Sequence, residues 1–264
     1  MDEKIVFHQR GKDPLYKTWH ASKEHLFMYI HSGTGSLVCR ENIFPIKEGA
    51  LIFIAAGTYH YTMPDIADVY DRSKLIVSVE KFNKIVSLLG DNSILESIYN
   101  KAVVYGEIDE NDREAVDSIF EDWSQKEDKN DQELIFLSGL FELMYFLNSA
   151  TVDSTFAVEN AMNCAIKYIN ENIARDIDID DICSAVNMSK YYFCRQFKAH
   201  TGLTVMKYIL KTRITLAKNE MKTTNLCITE ISEKYGFSSV SYFCRVFKET
   251  EGDTPLHYKK KNHI

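Results

Sequence analysis

The chain has 264 residues, 45% of them hydrophobic, and a formal net charge of −7, which suits one large globular domain or two ordinary ones. Its longest apolar run, residues 134–147, is shorter than the ~18 residues that a membrane-spanning helix needs, and the first residues lack the apolar core of a signal peptide. The six cysteines show neither C-x-x-C nor zinc-finger spacing. We therefore expect a reduced, cytoplasmic protein with no membrane association.

Charge is distributed unevenly along the chain. Residues 160–264 carry 16 basic and 11 acidic side chains, whereas the rest of the chain carries 15 basic and 27 acidic ones. An acidic N-terminal part joined to a basic C-terminal part is the asymmetry expected when only one domain meets a polyanion such as DNA.

Short β-rich runs separated by turn residues fill the chain from about residue 5 to residue 79. These runs are "HLFMYI", "SLVC", "NIFPI", "ALIFIA" and "SKLIVSV". Several brief strands at this spacing are typical of a small barrel or sandwich. We predict a β domain over residues 1–79.

Helical patterns replace them over residues 80–155. The first has apolar residues at Phe82, Ile85, Val86 and Leu89 and is followed by Gly90, which predicts an amphipathic helix that ends there. Residues 134–147 are apolar on more than one face, which is typical of a helix buried in its own domain or against a partner subunit. Turn-like composition at 149–155 predicts a domain boundary.

Two near-copies of one stretch lie in the C-terminal part. "YYFCRQFK" (191–198) and "SYFCRVFK" (241–248) agree at six of eight positions. On a helix, Phe193 and Phe197 lie opposite the face that carries Arg195 and Lys198. The second copy repeats this arrangement, so each helix is predicted to bury two phenylalanines and to present an arginine and a lysine outward.

Each copy follows a short apolar helix and a turn. The turns contain Asn187 and Gly236, both residues that tolerate positive φ, and Ser189 and Ser238 or Ser239 are placed to cap the next helix. This order predicts two helix-turn-helix units, at about 177–200 and 226–250. The stretch between them, residues 204–221, would form a helix about 27 Å long, close to the ~34 Å of one DNA turn. A rigid linker of this length could place both units on one side of a duplex.

Residues 163–260 resemble the DNA-binding domain of the AraC/XylS family of bacterial transcription regulators. The resemblance rests on "ITEISEKYGFSSVSYFCRVFKETEGDTPLHYKK", with Ser232 and Lys259 where the family usually has alanine and arginine. It implies that double-stranded promoter DNA is a partner. It assigns base contacts to Tyr191, Cys194, Arg195, Gln196, Val240, Ser241, Cys244 and Arg245. It assigns phosphate contacts to Ser189, Lys190, Lys198, Ser239 and Lys248.

The N-terminal part resembles the cupin-like sensor barrel of the same family. The matching stretches are "HLFMYIHSGTGSLV" and "IKEGALIFIAAGTYHYTMP", in which Gly49, Gly57 and His60 fit the cupin pattern and Ala55 replaces its proline. The resemblance implies a small-molecule effector inside the barrel, contacted by His20, His60 and Thr62. The tyrosines of this part (16, 29, 59, 61 and 70) would suit a sugar or another small polar molecule, although tyrosine also builds cores.

A metal site is the alternative for the same barrel. His20, Glu24 and His60 would supply two histidines and a carboxylate, but Thr18 stands where cupin enzymes have the partner histidine of an H-x-H pair. We expect no metal and no cofactor, with the two histidines lining an effector pocket or satisfying hydrogen bonds of the barrel.

The combined expectation is a multi-domain α+β protein that is a regulator and not an enzyme. It has a cupin-like barrel at 1–79, a helical dimerisation segment at 80–155 and a DNA-binding domain at 156–264. Stretch 134–147 is either the seam of a homodimer or a helix packed within its own subunit. The resemblance further implies contact with RNA polymerase. It implies activation of transcription as the commoner outcome in the family, with repression as the alternative.

Two other functions remain open from the sequence. One is a metal-dependent cupin enzyme with an accessory DNA-binding domain. The other is a DNA-repair methyl acceptor, which would need a cysteine cluster near the N-terminus, where only Cys39 lies.

Overall fold

The computed structural model describes residues 7–11, 19–39, 42–65, 70–87, 98, 101–125, 129–150 and 161–262. The chain forms two compact units whose main boundary falls between residues 156 and 157. Among the described residues, every strand lies before residue 108, and the chain after residue 160 is helical. The predicted combination of a β-rich N-terminal domain with an α-helical C-terminal domain is confirmed.

The N-terminal domain has two sheets. Its strands are β1 (Phe7–Gly11), β2 (His25–Ser32), β3 (Gly35–Cys39), β4 (Ile43–Ile46), β5 (Ala50–Ile54), β6 (His60–Pro64), β7 (Asp71–Val77) and β8 (Val103–Glu107). The first sheet has the order β1-β7-β2-β5-β8 and is antiparallel throughout, and the second has the order β4-β3-β6.

Alternate side chains of β2 belong to two different apolar cores. Leu26, Met28 and Ile30 join a buried cluster to which both sheets contribute, and this cluster faces the barrel interior. Phe27 and Tyr29 point the other way, into a second cluster formed with the helices. Because successive side chains of a strand point to opposite faces, one strand supplies both cores.

Helices cover the outer face of the five-stranded sheet. They are α1 (Val79–Ser87), α2 (Arg113–Gln125), preceded by a 3₁₀ turn at Glu110–Asp112, and α3 (Lys129–Ala150). Phe82, Phe120 and Leu143 from these helices are buried with Phe27 and Phe53 of the sheet. The predicted helix with Phe82 and Ile85 on its buried face is present and ends at Ser87, while Leu89 and Gly90 lie outside the described residues.

The predicted division at residue 79 needs a correction. Strand β8 lies inside the segment 80–155 and pairs with β5, with Tyr105 opposite Ile52. The helices α2 and α3 also share one core with the sheet. The segment is therefore neither purely helical nor separate, because its strand completes the sheet and its helices cover it. A dimerisation role for it stays a prediction.

Helix α3 is apolar on both its inner and its outer side. Leu140, Leu143 and Leu147 are fully buried in the domain core. On the outer side, Leu134 is 71% exposed and Tyr145 is 62% exposed. The window Glu133–Ala150, with a mean hydropathy of 1.2, is long and apolar enough to cross a membrane by length and composition. This window is longer than the apolar run at 134–147 seen in the sequence, because the helix extends past both ends of that run.

Seven helices form the described C-terminal domain. They are α4 (Ala161–Glu171), α5 (Ile179–Ala185), α6 (Lys190–Thr201), α7 (Val205–Thr223), α8 (Ile228–Lys234), α9 (Val240–Glu251) and α10 (Pro255–Asn262). Helix α4 packs against α5 and α6, whereas α8, α9 and α10 pack against α7. Helix α7 is the predicted continuous linker. Its Tyr208 contacts Phe197 of α6, and its Ile214, Ala217 and Met221 lie in the core of the second half.

Candidate nucleic-acid interface and effector site

The two helix-turn-helix units are α5 with α6 and α8 with α9. In the first, Asp178 caps α5 with its side chain, and the turn passes through Asn187 at φ 53°. In the second, Cys227 and Glu230 form a capping box for α8, and the turn passes through Gly236 at φ 70°. Both second helices, called the reading helices below, end at a left-handed glycine, Gly202 or Gly252. The repeated sequence therefore folds into a repeated local structure.

Phenylalanine pairs fix the rotation of each reading helix about its axis. Phe193 and Phe197 of α6 and Phe243 and Phe247 of α9 are all 0% exposed. Phe197 contacts Tyr208 edge-on and Phe247 contacts Tyr258 in the same way. Because residues three and four apart share a helix face, these anchors direct the opposite faces to solvent, as the sequence predicts.

The predicted base-contacting side chains lie on the outer faces of the reading helices. Some are exposed and others are half-buried. Arg195, Arg245, Tyr191 and Ser241 are exposed, and Tyr191 is 79% exposed. Cys194, Gln196, Val240 and Cys244 are half-buried. The Arg195 guanidinium lies 5.6 Å from the ring centre of Tyr192, and that of Arg245 lies 5.3 Å from the ring centre of Tyr242. Each arginine thus lies over an aromatic ring on the outer face of its helix.

Some of the side chains predicted to contact phosphates already make hydrogen bonds or ion pairs within the protein, and others do not. Lys198, Lys248 and Ser189 are exposed, and Ser189 lies at the N-cap position of α6 without a capping hydrogen bond from its side chain. The Ser239 hydroxyl caps α9 by accepting from the Tyr242 amide at 3.2 Å. Lys190 forms an ion pair with Asp180 at 2.9 Å, and this hydrogen bond raises the pKa of Lys190. DNA would have to compete with Asp180 for that lysine.

Sequence reasoning missed one buried cation in the linker helix. Arg213 is 8% exposed, and its guanidinium donates to backbone carbonyls, including those of Ile173 at 2.9 Å and Gly236 at 2.7 Å. The pattern of α7 indicates only its apolar stripe, because an arginine whose partners are backbone carbonyls leaves no sequence signal.

The predicted effector residues lie around strand β6. His60 and Thr62 are 3% and 6% exposed, and they lie opposite Cys39 and Leu37 of β3, which belong to the barrel interior. His20 pairs with His60 through two backbone hydrogen bonds, and the centres of the two rings are 4.3 Å apart. The structure therefore brings the three residues together at one wall of the barrel.

The protonation state of His60 follows from its surroundings. Its Nδ1 lies 2.9 Å from the Thr58 carbonyl oxygen, and because a carbonyl only accepts, Nδ1 carries the proton. Burial, together with the nearby His20, Lys74 and Arg72, lowers the pKa of His60 to about 4. The ring is therefore neutral near pH 7, and its Nε2 is an acceptor.

Arg72 of β7 is a second residue that sequence reasoning missed. It is 4% exposed and faces the interior with Met28, and its Nη1 donates to the Tyr70 hydroxyl at 3.0 Å and to the Thr62 hydroxyl at 3.4 Å. A polar group of one arginine, one tyrosine and one threonine thus lies among aliphatic side chains.

The tyrosines that suggested a sugar do not share one environment. Tyr29 packs on Phe120 in the core beneath the helices, Tyr61 packs on Trp19, and Tyr70 joins the barrel interior. Tyr16 lies outside the described residues. The count of tyrosines near the barrel is therefore not a guide to the ligand.

Within the described parts of the chain, no group of three or more His, Cys, Asp or Glu side chains could hold a metal ion. The alternative set of His20, Glu24 and His60 does not form such a group.

Buried histidines make the stability of the N-terminal domain depend on pH. Burial lowers the pKa of His25, His31 and His60 below the 6.5 of a free histidine, so in acid the unfolded chain binds protons that the folded chain does not. For His60, we expect the unfolding free energy to fall as pH drops from 6.5 towards 4, by at most about 1.4 kcal/mol per pH unit. His25 and His31 should add to the loss in the same direction. Melting curves followed by the fluorescence of Trp19 and Trp123, both in this domain, measure it. His60→Gln should flatten the profile, and a melting temperature constant across this window would contradict the prediction.

Comparison with known families gives two matches. Residues 5–100 match the family described as an AraC-like ligand binding domain, and residues 182–261 match the family described as a helix-turn-helix domain. The first range contains His20, His60 and Thr62, and the second contains both reading helices.

Individual proteins match over parts of their length. The regulatory protein PocR of Salmonella typhimurium is 31% identical over 103 residues, which are 39% of this chain and 34% of PocR. The probable transcription factor PqrA of Proteus vulgaris is 32% identical over 104 residues, which are 39% of this chain and 85% of PqrA. The crystal structure of ToxT from Vibrio cholerae aligns with 97% of this chain and 96% of its own, at 17% identity and a TM-score of 0.40. The match thus spans about a third of PocR but most of PqrA.

Proposed function

Because the chain belongs to the AraC family of transcription regulators, we propose that it binds promoter DNA sequence-specifically and that a small molecule in its N-terminal barrel changes this binding. Activation of transcription is the expected outcome, through contact with RNA polymerase. The acidic barrel domain would sense, and the basic helical domain would bind DNA.

The observation that carries the proposal is the pair of outward-facing arginines. Arg195 and Arg245 occupy equivalent places on two reading helices whose phenylalanines are fully buried behind them. An arginine on the exposed face of such a helix can donate two hydrogen bonds to the O6 and N7 atoms of one guanine in the major groove. Two equivalent helices would read two short blocks of sequence.

The remaining predicted contact residues would divide between bases and backbone. Tyr191 and Ser241 would flank the arginines at base edges, and Val240 would contact a thymine methyl group. The half-buried Cys194 and Cys244 would contribute shape and apolar contact. Lys198 and Lys248, together with Ser189 and Ser239, would contact phosphates, which positions the helices without reading sequence.

For the effector we propose the wall of the barrel around β6. The neutral Nε2 of His60 is an acceptor, whereas Arg72 and the hydroxyl of Thr62 supply donors, with His20 beside them. Donors and acceptors in one small region suit a polar molecule with hydroxyl groups, and a sugar is one such molecule.

We further propose that the chain forms a homodimer through the outer side of α3. Leu134 and Tyr145 lie on that side at helical spacing and are mostly exposed. Phe141, which is partly buried against the domain core, lies between them. A second copy of the chain would cover them. The inner side of the same helix packs on the sheet, and this favours a cytoplasmic protein over a membrane-bound one.

We infer a regulator without enzymatic activity. A metal-dependent cupin enzyme would copurify with stoichiometric iron or manganese, so metal analysis of the purified chain discriminates the two readings. A methyl acceptor would be methylated by incubation with methylated DNA, which mass spectrometry would detect.

The test of the proposed function is selection of DNA from a random double-stranded library with the full-length protein. We expect enrichment of a site with two short blocks about one helical turn, roughly 10 base pairs, apart. Fluorescence anisotropy should then give at least 1,000-fold tighter binding to this site than to unrelated DNA, on the order expected for specific binding. Equal affinity for selected and unrelated DNA would refute sequence-specific binding. Thermal shift with sugars, amino acids, fatty acids and bile-type acids would identify the effector.

A further inference from the structure

Arg213 lies in the middle of the linker helix, where the two halves of the C-terminal domain meet. Its Nε donates to the Ile173 carbonyl at 2.9 Å, its Nη1 to the Gly236 carbonyl at 2.7 Å, and its Nη2 to the Arg175 carbonyl. Its guanidinium also lies 5.9 Å from the ring centre of Phe237. One buried side chain thus makes three hydrogen bonds.

These carbonyls belong to different halves of the domain. Ile173 and Arg175 lie in the connection between α4 and α5, and α4 packs against the first helix-turn-helix unit. Gly236 is the turn residue of the second unit. Arg213 therefore ties the second turn directly to the scaffold of the first unit.

A close backbone approach reinforces this link. A Cβ atom on Gly236 would lie 2.7 Å from the Ala174 carbonyl oxygen and 3.1 Å from Nη2 of Arg213. The equivalent residue of the first unit, Asn187, has φ 53°, so a non-glycine residue can form this type of turn. The glycine at 236 is required by the contact with Ala174 in addition to its backbone angle.

Arginine has the geometry that this link needs. Its planar guanidinium presents five N–H donors in a fixed fork, whereas a lysine ammonium is a compact charge on a flexible stem. Burial lowers the pKa of Arg213, but a guanidinium stays protonated at any physiological pH. The link is therefore present whenever the domain is folded.

We propose that Arg213 is a positioning residue for DNA binding, which holds the two reading helices in one relative arrangement and so fixes the spacing between the two sequence blocks that the protein accepts. The proposal rests on the proposed DNA-binding function. Because Arg213 is buried, with 8% of its surface exposed, it would act on DNA binding only through the two units.

The first experiment measures spacing selectivity. The selected site is prepared with the spacing unchanged and with one base pair added or removed, which shifts one block by about 3.4 Å and rotates it by about 35°. We expect the wild-type chain to lose at least 10-fold in affinity on either altered site. The Arg213→Met variant should bind the three sites with affinities within about 3-fold of one another. As a control, changing a base contacted by Arg245 should still lower the affinity of this variant for DNA. Wild-type selectivity in Arg213→Met would overturn the proposal.

The second experiment compares two glycine variants and leaves Arg213 unchanged. Gly236→Ala and Gly252→Ala both put a side chain at a positive φ, 70° and 76°, but only at Gly236 does the new methyl group meet other atoms within 4 Å. Gly236→Ala should broaden the accepted spacing, and Gly252→Ala should not. Equal effects of the two variants would count against the proposal even if Arg213→Met fails to fold.

A measurement without DNA separates this proposal from the proposed function. Spin labels on unnatural amino acids at Ala199 and Glu249, exposed equivalent positions of the two reading helices, report the distance between them. We expect a narrow distance distribution in the wild type and a broad one in Arg213→Met. If the wild type gives a narrow distribution and Arg213→Met a broad one, but the wild type selects no DNA, the positioning role of Arg213 holds and the proposed DNA binding is refuted. If the wild type and Arg213→Met give distributions of the same width, the positioning role of Arg213 is refuted.

Discussion

Replacing Arg245 with alanine should weaken binding to the selected DNA site by about 1–3 kcal/mol, roughly 5- to 150-fold, because a bidentate contact to one guanine is lost. The guanidinium is exposed over the Tyr242 ring and is free of the domain core, so the fold should be unchanged. The loss should be confined to one base pair: the variant should accept all four bases there nearly equally. Arg195→Ala should do the same in the other block. Anisotropy titrations against a panel of single-base variants measure both effects.

Lys248→Ala is the control on the same helix. This lysine is exposed one turn from Arg245, and its loss should weaken binding to all sequences alike. It should also reduce the slope of log affinity against log salt by about one unit, because one phosphate contact is lost. A Lys248 variant with altered base preference, or an Arg245 variant without it, would reverse the assigned roles.

Phe243→Ala should destabilise the second half of the C-terminal domain by about 3–5 kcal/mol, because it leaves a cavity in a closely packed core. Phe243 is 0% exposed and contacts both Phe237 and Phe247. Urea unfolding followed by circular dichroism at the helix band measures the change, and loss of DNA binding should accompany it.

Two comparisons sharpen this prediction. Phe243→Leu keeps most of the volume and should cost less than half as much. The tryptophans, Trp19 and Trp123, lie only in the N-terminal domain, so their fluorescence transition should stay in place if the two domains unfold independently. A Phe243→Ala protein with wild-type stability would mean that the buried phenylalanines do not hold the reading helix.

The reading helices were predictable because their signal is local and repeated. Phe193 and Phe197, with their copies at 243 and 247, define a buried face by spacing alone, and the opposite face follows from helix geometry. The structure confirms this for all four. Contacts of the exposed side chains with DNA stay predictions.

The residues that sequence reasoning missed depend on distant partners. Alternation along β7 places Arg72 and Ile76 on one face, but a charged residue is ordinarily expected outside, and only the fold shows its hydroxyl partners. Arg213 binds backbone carbonyls, which every residue has. Strand β8 is five residues long, and its first residue, Val103, pairs with Ile54 of β5, which lies 49 positions earlier. Such a long-range pairing has no local pattern.

The duplicated units are alike in fold but differ at the surface. Where α6 has Tyr191 and Gln196, α9 has Ser241 and Val246, the last of which is buried. A binding site matched to one chain would therefore have unlike ends, since each end meets a different set of side chains. Such a site is asymmetric, so inverting it beside a promoter would reverse the direction in which the protein is bound. The orientation of the site, and not only its distance from the transcription start, should then affect the proposed regulation.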